Sequence, residues 1–220
     1  MKIFATSDVH GNRRTMDKLS IVAADVDLIL VCGDVGGKDG RGKTFRQFSE
    51  YQRQDADYLS SVLKRIKTNS RFILGNDDWF EYEDSRYLQK VETINGLTFI
   101  PFEYVLLTPF NTNREANDNK LEYELGKLSA DSSTVMVAHT PPLGAGDILY
   151  NGSHCGSRSV REWIEEVQPK LWLCGHIHED NSATWIGDTL VLNCACNYPD
   201  GVLRGWIVDT DTMDYEAVEI

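Results

Sequence analysis

Apolar residues follow two patterns along this chain. Leu28-Ile29-Leu30-Val31-Cys32, Val135-Met136-Val137-Ala138 and Leu171-Trp172-Leu173-Cys174 are short runs that are apolar at every position. That is the pattern of strands covered on both faces in a parallel sheet. Lys2-Ile3-Phe4-Ala5-Thr6 and Arg71-Phe72-Ile73-Leu74 are less complete versions of it. Between these runs apolar positions recur at helical spacing: Met16, Leu19, Ile21, Val22 and Ala23 over 12–24, and Phe48, Tyr51, Ala56, Leu59, Leu63 and Ile66 over 45–67. Further helices are predicted over 120–128 and from Ser159, with Glu162 three residues on as a capping box, to 167. Asp78, three residues before Glu81, predicts the cap of one more short helix. Strands are predicted over 97–100 and 104–107 with Pro101 at the break between them, over 203–208 and over 215–220. A hairpin is predicted from 184–186 to 190–192, turning at Gly187-Asp188. Buried strands alternating with amphipathic helices define an α/β fold. With no repeat, low-complexity tract or linker, residues 1–220 read as one domain.

Composition narrows the function classes. Of 220 residues, 41% are hydrophobic and 25% charged, the balance of a globular protein, and no apolar run approaches the ~20 residues of a membrane span. A formal charge of −12 argues against a general nucleic-acid-binding surface, which needs clustered Lys and Arg. The N-terminal residues lead straight into a strand-like segment, so no secretory signal is expected. The five cysteines are odd in number and mostly inside strand-like segments, which predicts reduced thiols and a cytoplasmic location. Cys194-Ala195-Cys196 lacks a matching second pair and reads as core or edge thiols.

Candidate chemistry sits where the strands end. Asp8 and His10 follow the first, Asp34 the second, Asn76 the third, His139 the fourth, and His176 and His178 the fifth. In an open α/β sheet the carboxyl ends of the strands share one crevice, so side chains distant in sequence meet there. Carboxylate and amide oxygens with imidazoles suit Mn²⁺, Fe or Zn²⁺. Seven such groups exceed the needs of one ion and fit two ions sharing a carboxylate.

The ordered set Asp8-Val9-His10, Gly33-Asp34, Gly75-Asn76-Asp77-Asp78, His139-Thr140-Pro141-Pro142 and Gly175-His176-Ile177-His178 resembles the calcineurin-like metallophosphoesterases. The stretch from His139 to Asp180, with Asp147 and Gly156, is similar to the small single-domain members. The resemblance implies a four-layer α/β/β/α sandwich of two mixed β-sheets flanked by helices. It implies two divalent metal ions, Mn²⁺ favoured over Fe or Zn²⁺. Asp8, His10 and His178 would hold one ion, Asn76, His139 and His176 the other, with Asp34 bridging. The implied activity is hydrolysis of a phosphorylated small molecule by attack of a metal-bridging hydroxide. Asp180 and Asn193 are candidates to orient the ligating imidazoles.

The third motif of that family usually reads G-N-H, and here the His is Asp77. A carboxylate beside two dications is ionised. It makes a poor general acid and repels a dianion, which predicts a lean toward phosphodiesters. Asn76, Asp77 and His154, in the loop 144–156, are the expected substrate contacts, with Asp77 and His154 as the catalytic candidates. Two rival readings remain. Gly37 to Thr44 spells G-K-D-G-R-G-K-T, a literal phosphate-loop pattern between a strand and a helix, which would make the protein a nucleotide-binding NTPase. In the family's frame the same segment could instead bring Lys38, Arg41 and Lys43 to substrate phosphate as a flap. The second rival is a non-enzymatic scaffold on the same fold.

Overall fold

The computed structural model describes residues 1–220. Two sheets are laid face to face. The first contains β1 (Lys2–Thr6), β2 (Leu28–Cys32) and β3 (Asn69–Ile73), all parallel, and is extended antiparallel beyond β1 by β12 (Arg204–Asp209) and β13 (Tyr215–Glu219), in the order β13-β12-β1-β2-β3. The second has four parallel strands, β5 (Leu97–Phe102), β8 (Thr134–Ala138), β9 (Leu171–Cys174) and β11 (Thr189–Asn193). Its edges are the antiparallel strands β4 (Glu92–Ile94) and β10 (Ala183–Ile186), in the order β10-β11-β9-β8-β5-β4. Helices α1 (Arg13–Val22) and α2 (Phe45–Arg65) cover the first sheet, and α3 (Asp118–Leu125) and α4 (Arg158–Val167) the second. A two-stranded ribbon, β6 (Val105–Leu106) with β7 (Glu115–Ala116), and one turn of 3-10 helix at Tyr198–Asp200 complete the chain.

Three apolar layers explain the all-apolar strands. Leu28, Leu30 and Cys32 of β2 pack between the sheets against Val135, Val137, Leu171 and Leu173, while Ile29 and Val31 point the other way, onto Met16, Leu19, Leu59 and Leu63 of α1 and α2. In β9 the same alternation sends Leu171 and Leu173 between the sheets and Trp172 and Cys174 toward α3 and α4. A strand sandwiched this way has no face left for a polar residue. The architecture is the four-layer α/β/β/α sandwich that the resemblance implied.

Several local expectations are corrected. Residues 78–81 form no helix, only a bend at Phe80, and Asp78 is fully buried. The helix expected to be capped by Ser159 is capped two residues earlier: Ser157 accepts the Val160 N–H at 3.0 Å, while the Ser159 N–H donates to Asp118. Strand β5 runs through Pro101. Its Thr98 N–H donates to the Ser133 carbonyl, so by alternation Pro101 directs its nitrogen away from β8, to the side where β4 has already ended at the Glu92–Phe99 pair. A missing N–H does no harm there. The hairpin β4–β5, absent from the sequence reading, turns on Asn95-Gly96 with φ of +49° and +83°, the doubly left-handed turn that Asn-Gly favours.

Leu30 is fully buried between the sheets. Leu30→Ala is expected to destabilise the fold by about 2–5 kcal/mol, read as a shift of the urea midpoint.

Candidate metal centre

Both sheets deliver their carboxyl-terminal strand ends to one edge of the sandwich. The backbone turns sharply there: Asp8, His10, Asp34 and His176 all have left-handed φ, at +59°, +41°, +52° and +70°. Asp and His tolerate that region better than most residues, and a cluster of such positions marks a site where local strain is held by its surroundings. The glycines of the motifs make room for the same side chains. A Cβ on Gly75 would lie 2.2 Å from Asp34 Oδ1, one on Gly175 2.1 Å from Ser7 Oγ and 2.3 Å from Asp8 Oδ2, and one on Gly33 2.5 Å from His139 Nδ1.

Asp8, His10 and His178 bring one ligand atom each to within 4.8 Å of the others, as do Asp8, Asp34 and His139. His178 Nε2 is 3.1 Å from Asp8 Oδ1 and 3.3 Å from His10 Nε2. Asp34 faces two ways, with Oδ2 3.6 Å from His10 Nε2 and Oδ1 3.4 Å from His139 Nε2. Asn76 Oδ1 is 3.1 Å from His139 Nε2. His176 stands edge-on to His139, ring centroids 5.4 Å apart, and its backbone N–H donates to Asp8 Oδ2. The seven expected ligands therefore converge, His176 at the margin. Asp77 joins them, within 4.8 Å of His10 and Asp34.

The donor set fits divalent cations. His10 Nε2 lies 3.3 Å from His178 Nε2, and His10 Nδ1 is buried with no hydrogen-bond partner. His139 donates Nδ1–H to the Cys32 carbonyl at 2.7 Å, which leaves Nε2 aimed into the cluster, the usual tautomer control of a ligating imidazole. Asn76 donates its amide nitrogen to Thr112 Oγ1 at 2.7 Å, which turns its oxygen inward.

Charge is balanced within the metal-free cluster. Burial alone would raise the carboxyls of Asp8 and Asp34, but His178 beside the first and His139 beside the second outweigh it and hold both well below the usual range. Burial would lower His139, yet Asp34 and Asp8 lift it to about 10. His178 is raised in the same sense, its burial outweighed by Asp8. His10 and His176 have too little compensation, and burial drops them to about 3 and about 4.

Two groups that sequence reasoning missed build the scaffold of the site. Asp78 accepts the N–H groups of Val35 (3.1 Å), Gly36 (2.7 Å) and Gly75 (2.8 Å), tying the turn after β2 to the turn after β3. Its spacing to Glu81 suggested a cap, and only the fold brings these three amides to it. Gln52, buried on α2, donates to the carbonyls of Gly37 (3.1 Å) and Asp77 (2.6 Å) and accepts the Trp79 N–H (2.9 Å). No sequence signal separates Gln52 from any other polar helical residue. Asn193 fastens backbone, not imidazole: it donates to the carbonyls of Gly146 and Ile177, bracing the turn that carries His176. Asp180 accepts the Ile148 N–H. His154 donates Nδ1–H to buried Asp147 at 2.7 Å, and no hydrogen bond or ion pair joins it to the clustered residues.

The phosphate-loop reading fails on geometry. A phosphate cradle needs free amides, but the N–H of Gly37 donates to Asp55, that of Arg41 to Asp39 and that of Thr44 to Gln47, while those of Gly40 and Lys43 close turns within the loop. Lys43 turns back onto the Asp39 carbonyl and the face of Tyr51. Arg41 pairs with Asp39 in solvent. Only Lys38 reaches the site, 3.0 Å from Asp77 Oδ2. Asp77 is thus salt-bridged and not bare: burial and Asp34 push its carboxyl up, and Lys38 pulls it down.

Comparison with known proteins points one way. Residues 1–180 match the family model of the calcineurin-like phosphoesterases. An uncharacterised protein of Methanocaldococcus jannaschii is 28% identical over 200 residues, covering 88% of this chain and 87% of its own. A UPF0046 protein of Caenorhabditis elegans is 32% identical over 212 residues, covering 90% of this chain and 70% of its own. Among solved structures, an archaeal phosphodiesterase shares the fold with a TM-score of 0.51 at 15% identity, each chain covered in full (100%).

Two outcomes are expected from this geometry. Asp78→Ala strands three buried amides and should cost about 3 kcal/mol or more in urea unfolding. For the metal-free protein, His139 has a folded value near 10 against an ordinary 6.5. Its contribution is complete below the unfolded value and is lost as pH rises through the folded one. The thermal midpoint in chelator should therefore fall steadily from pH 7 toward 10; a flat profile would contradict this charge balance.

Proposed function

Because the chain belongs to the calcineurin-like phosphoesterase family, we propose that it is a dinuclear metal-dependent hydrolase of phosphate esters with a preference for diesters. The observation that carries this reading is the two-way placement of Asp34, one oxygen toward His10 and the other toward His139. That suits a carboxylate shared between two ions. Asp8, His10 and His178 would hold one and Asn76, His139 and His176 the other. Nitrogen and oxygen donors without thiolate favour Mn²⁺, Fe or Zn²⁺, and Mn²⁺ is our first choice. Bound there, divalent cations supply Lewis acidity toward phosphoryl oxygens and make water more acidic.

The chain's own residues set orientation and charge. Asn76, turned by Thr112, and His139, turned by the Cys32 carbonyl, present fixed faces to a ligand without needing to reorganise. A cavity of about 460 Å³ opens beside them, lined by Asp34, Asn76, Asp77 and His176 and walled on its apolar side by Phe48, Trp79 and Phe110. It offers a phosphoester a polar floor and its leaving group a flat, greasy wall. Asp77 and Asp34 both face that space, and repulsion from them grows with the charge on the phosphoryl group. A monoanionic diester is disfavoured less than a dianionic monoester.

Hydrolysis of bis(4-nitrophenyl) phosphate and of 4-nitrophenyl phosphate, each with added Mn²⁺, Fe²⁺ or Zn²⁺, tests this. The diester should be cleaved faster, and Asp34→Asn should lower kcat/KM by about a hundredfold or more. A clear monoester preference overturns the lean to diesters, and no turnover with any metal would leave the fold as a scaffold.

A further inference from the structure

Lys38 belongs to the glycine-rich segment that does not form a phosphate cradle, yet its side chain lines the cavity beside Asp34, Asn76, Asp77 and His176. No other Lys or Arg lines that cavity. Its ammonium is 3.0 Å from Asp77 Oδ2 and 5.6 Å from the centre of the Tyr198 ring. Tyr198 in turn packs edge-on against His10 and His178, centroids 4.4 Å and 5.4 Å away, so one ring spaces the cation from the clustered imidazoles.

The placement is built from buried parts. Gln52 grips the carbonyl of Gly37, just before Lys38, and the carbonyl of Asp77 itself. Asp78 grips the amides of Val35 and Gly36 on one side and Gly75 on the other. The Asp77 N–H donates to Asp34 Oδ1 at 2.9 Å. Both ends of the Lys38–Asp77 pair are therefore locked to the residues around Asp34, while the Lys38 side chain keeps 40% of its surface open.

We propose that Lys38 is a catalytic residue whose ammonium receives a non-bridging oxygen of the substrate's phosphoryl group, with Asp77 as the positioning residue that aims it. This rests on the phosphoesterase reading. An ammonium has three donors and Asp77 occupies one, leaving others for a phosphoryl oxygen without breaking the pair.

The test uses full-length, metal-loaded wild type, Lys38→Met, Lys38→Arg and Asp77→Asn. Elemental analysis reads metal content, calorimetry reads the Kd of inorganic phosphate, and steady-state kinetics reads bis(4-nitrophenyl) phosphate. Lys38→Met should keep its metal, weaken phosphate binding and lower kcat/KM each by about ten- to a hundredfold, the loss of a charge-assisted hydrogen bond. Lys38→Arg should recover most of both, and Asp77→Asn should fall in between. A Lys38→Met protein with phosphate affinity and kcat/KM within about twofold of wild type overturns the proposal, as does one that has lost its metal. If wild type cleaves no ester yet binds phosphate in a Lys38-dependent way, the anion contact stands and the hydrolase reading fails.

Discussion

Two carboxylates, Asp8 and Asp34, lie buried where the strands of both sheets end. A buried charge is tolerated only when paired and hydrogen-bonded, so everything at this edge of the sandwich has to answer to that pair. His139 and His178 supply opposite charge, and the amides of His176 and Asp77 donate to the remaining lone pairs. The glycines before Asp34, Asn76 and His176 leave the space these side chains need. The cluster is thus a joint between the sheets as well as a place for chemistry: Asp8 and Asp34 come from one sheet, His139, His176 and His178 from the other.

Around that joint the turns are held by side chains that never touch it. Asp78 and Gln52 collect amides and carbonyls from the segments after β2 and β3, so the Asp34 and Asn76 turns move as one piece. The same two residues fix where Lys38 enters, while Asp55, Asp39 and Gln47 take the amides that a phosphate loop would need. A literal sequence match was thereby turned to a different use by its neighbours, which is the ordinary way tertiary structure overrides a short motif.

Much of this was legible in the chain. Strands covered on both faces must be apolar throughout, and their ends announced Asp8, His10, Asp34, Asn76, His139, His176 and His178. What stayed hidden depends on contacts distant in sequence. Asp78 resembled a helix cap because local spacing is all that a sequence displays, and its three amide partners are assembled by folding. Ser157 lost to Ser159 because Glu162 suggested a capping box, while Asp118 from another helix occupies the Ser159 amide. Pro101 looked like a strand breaker because nothing local says that β4 stops short of it. Asn95-Gly96 is a local hairpin signal in its own right, because both residues accept the left-handed φ of the turn. Thr112 and Gln52 carry no signature, since orienting an amide or bridging two carbonyls requires only a polar group in the right place.

The left-handed backbone at Asp8, His10, Asp34 and His176 has a consequence for how this site can vary. Outside glycine, that conformation is most accessible to Asn, Asp and His, and β-branched residues are poorly suited to it. Those three are also residues whose side chains offer oxygen or nitrogen to a hard or borderline cation. Two independent sieves, one steric and one chemical, therefore pass nearly the same short alphabet at these positions. A lineage drifting away from metal chemistry would still find most replacements barred by the main chain, so the appearance of a ligand set can outlast its use.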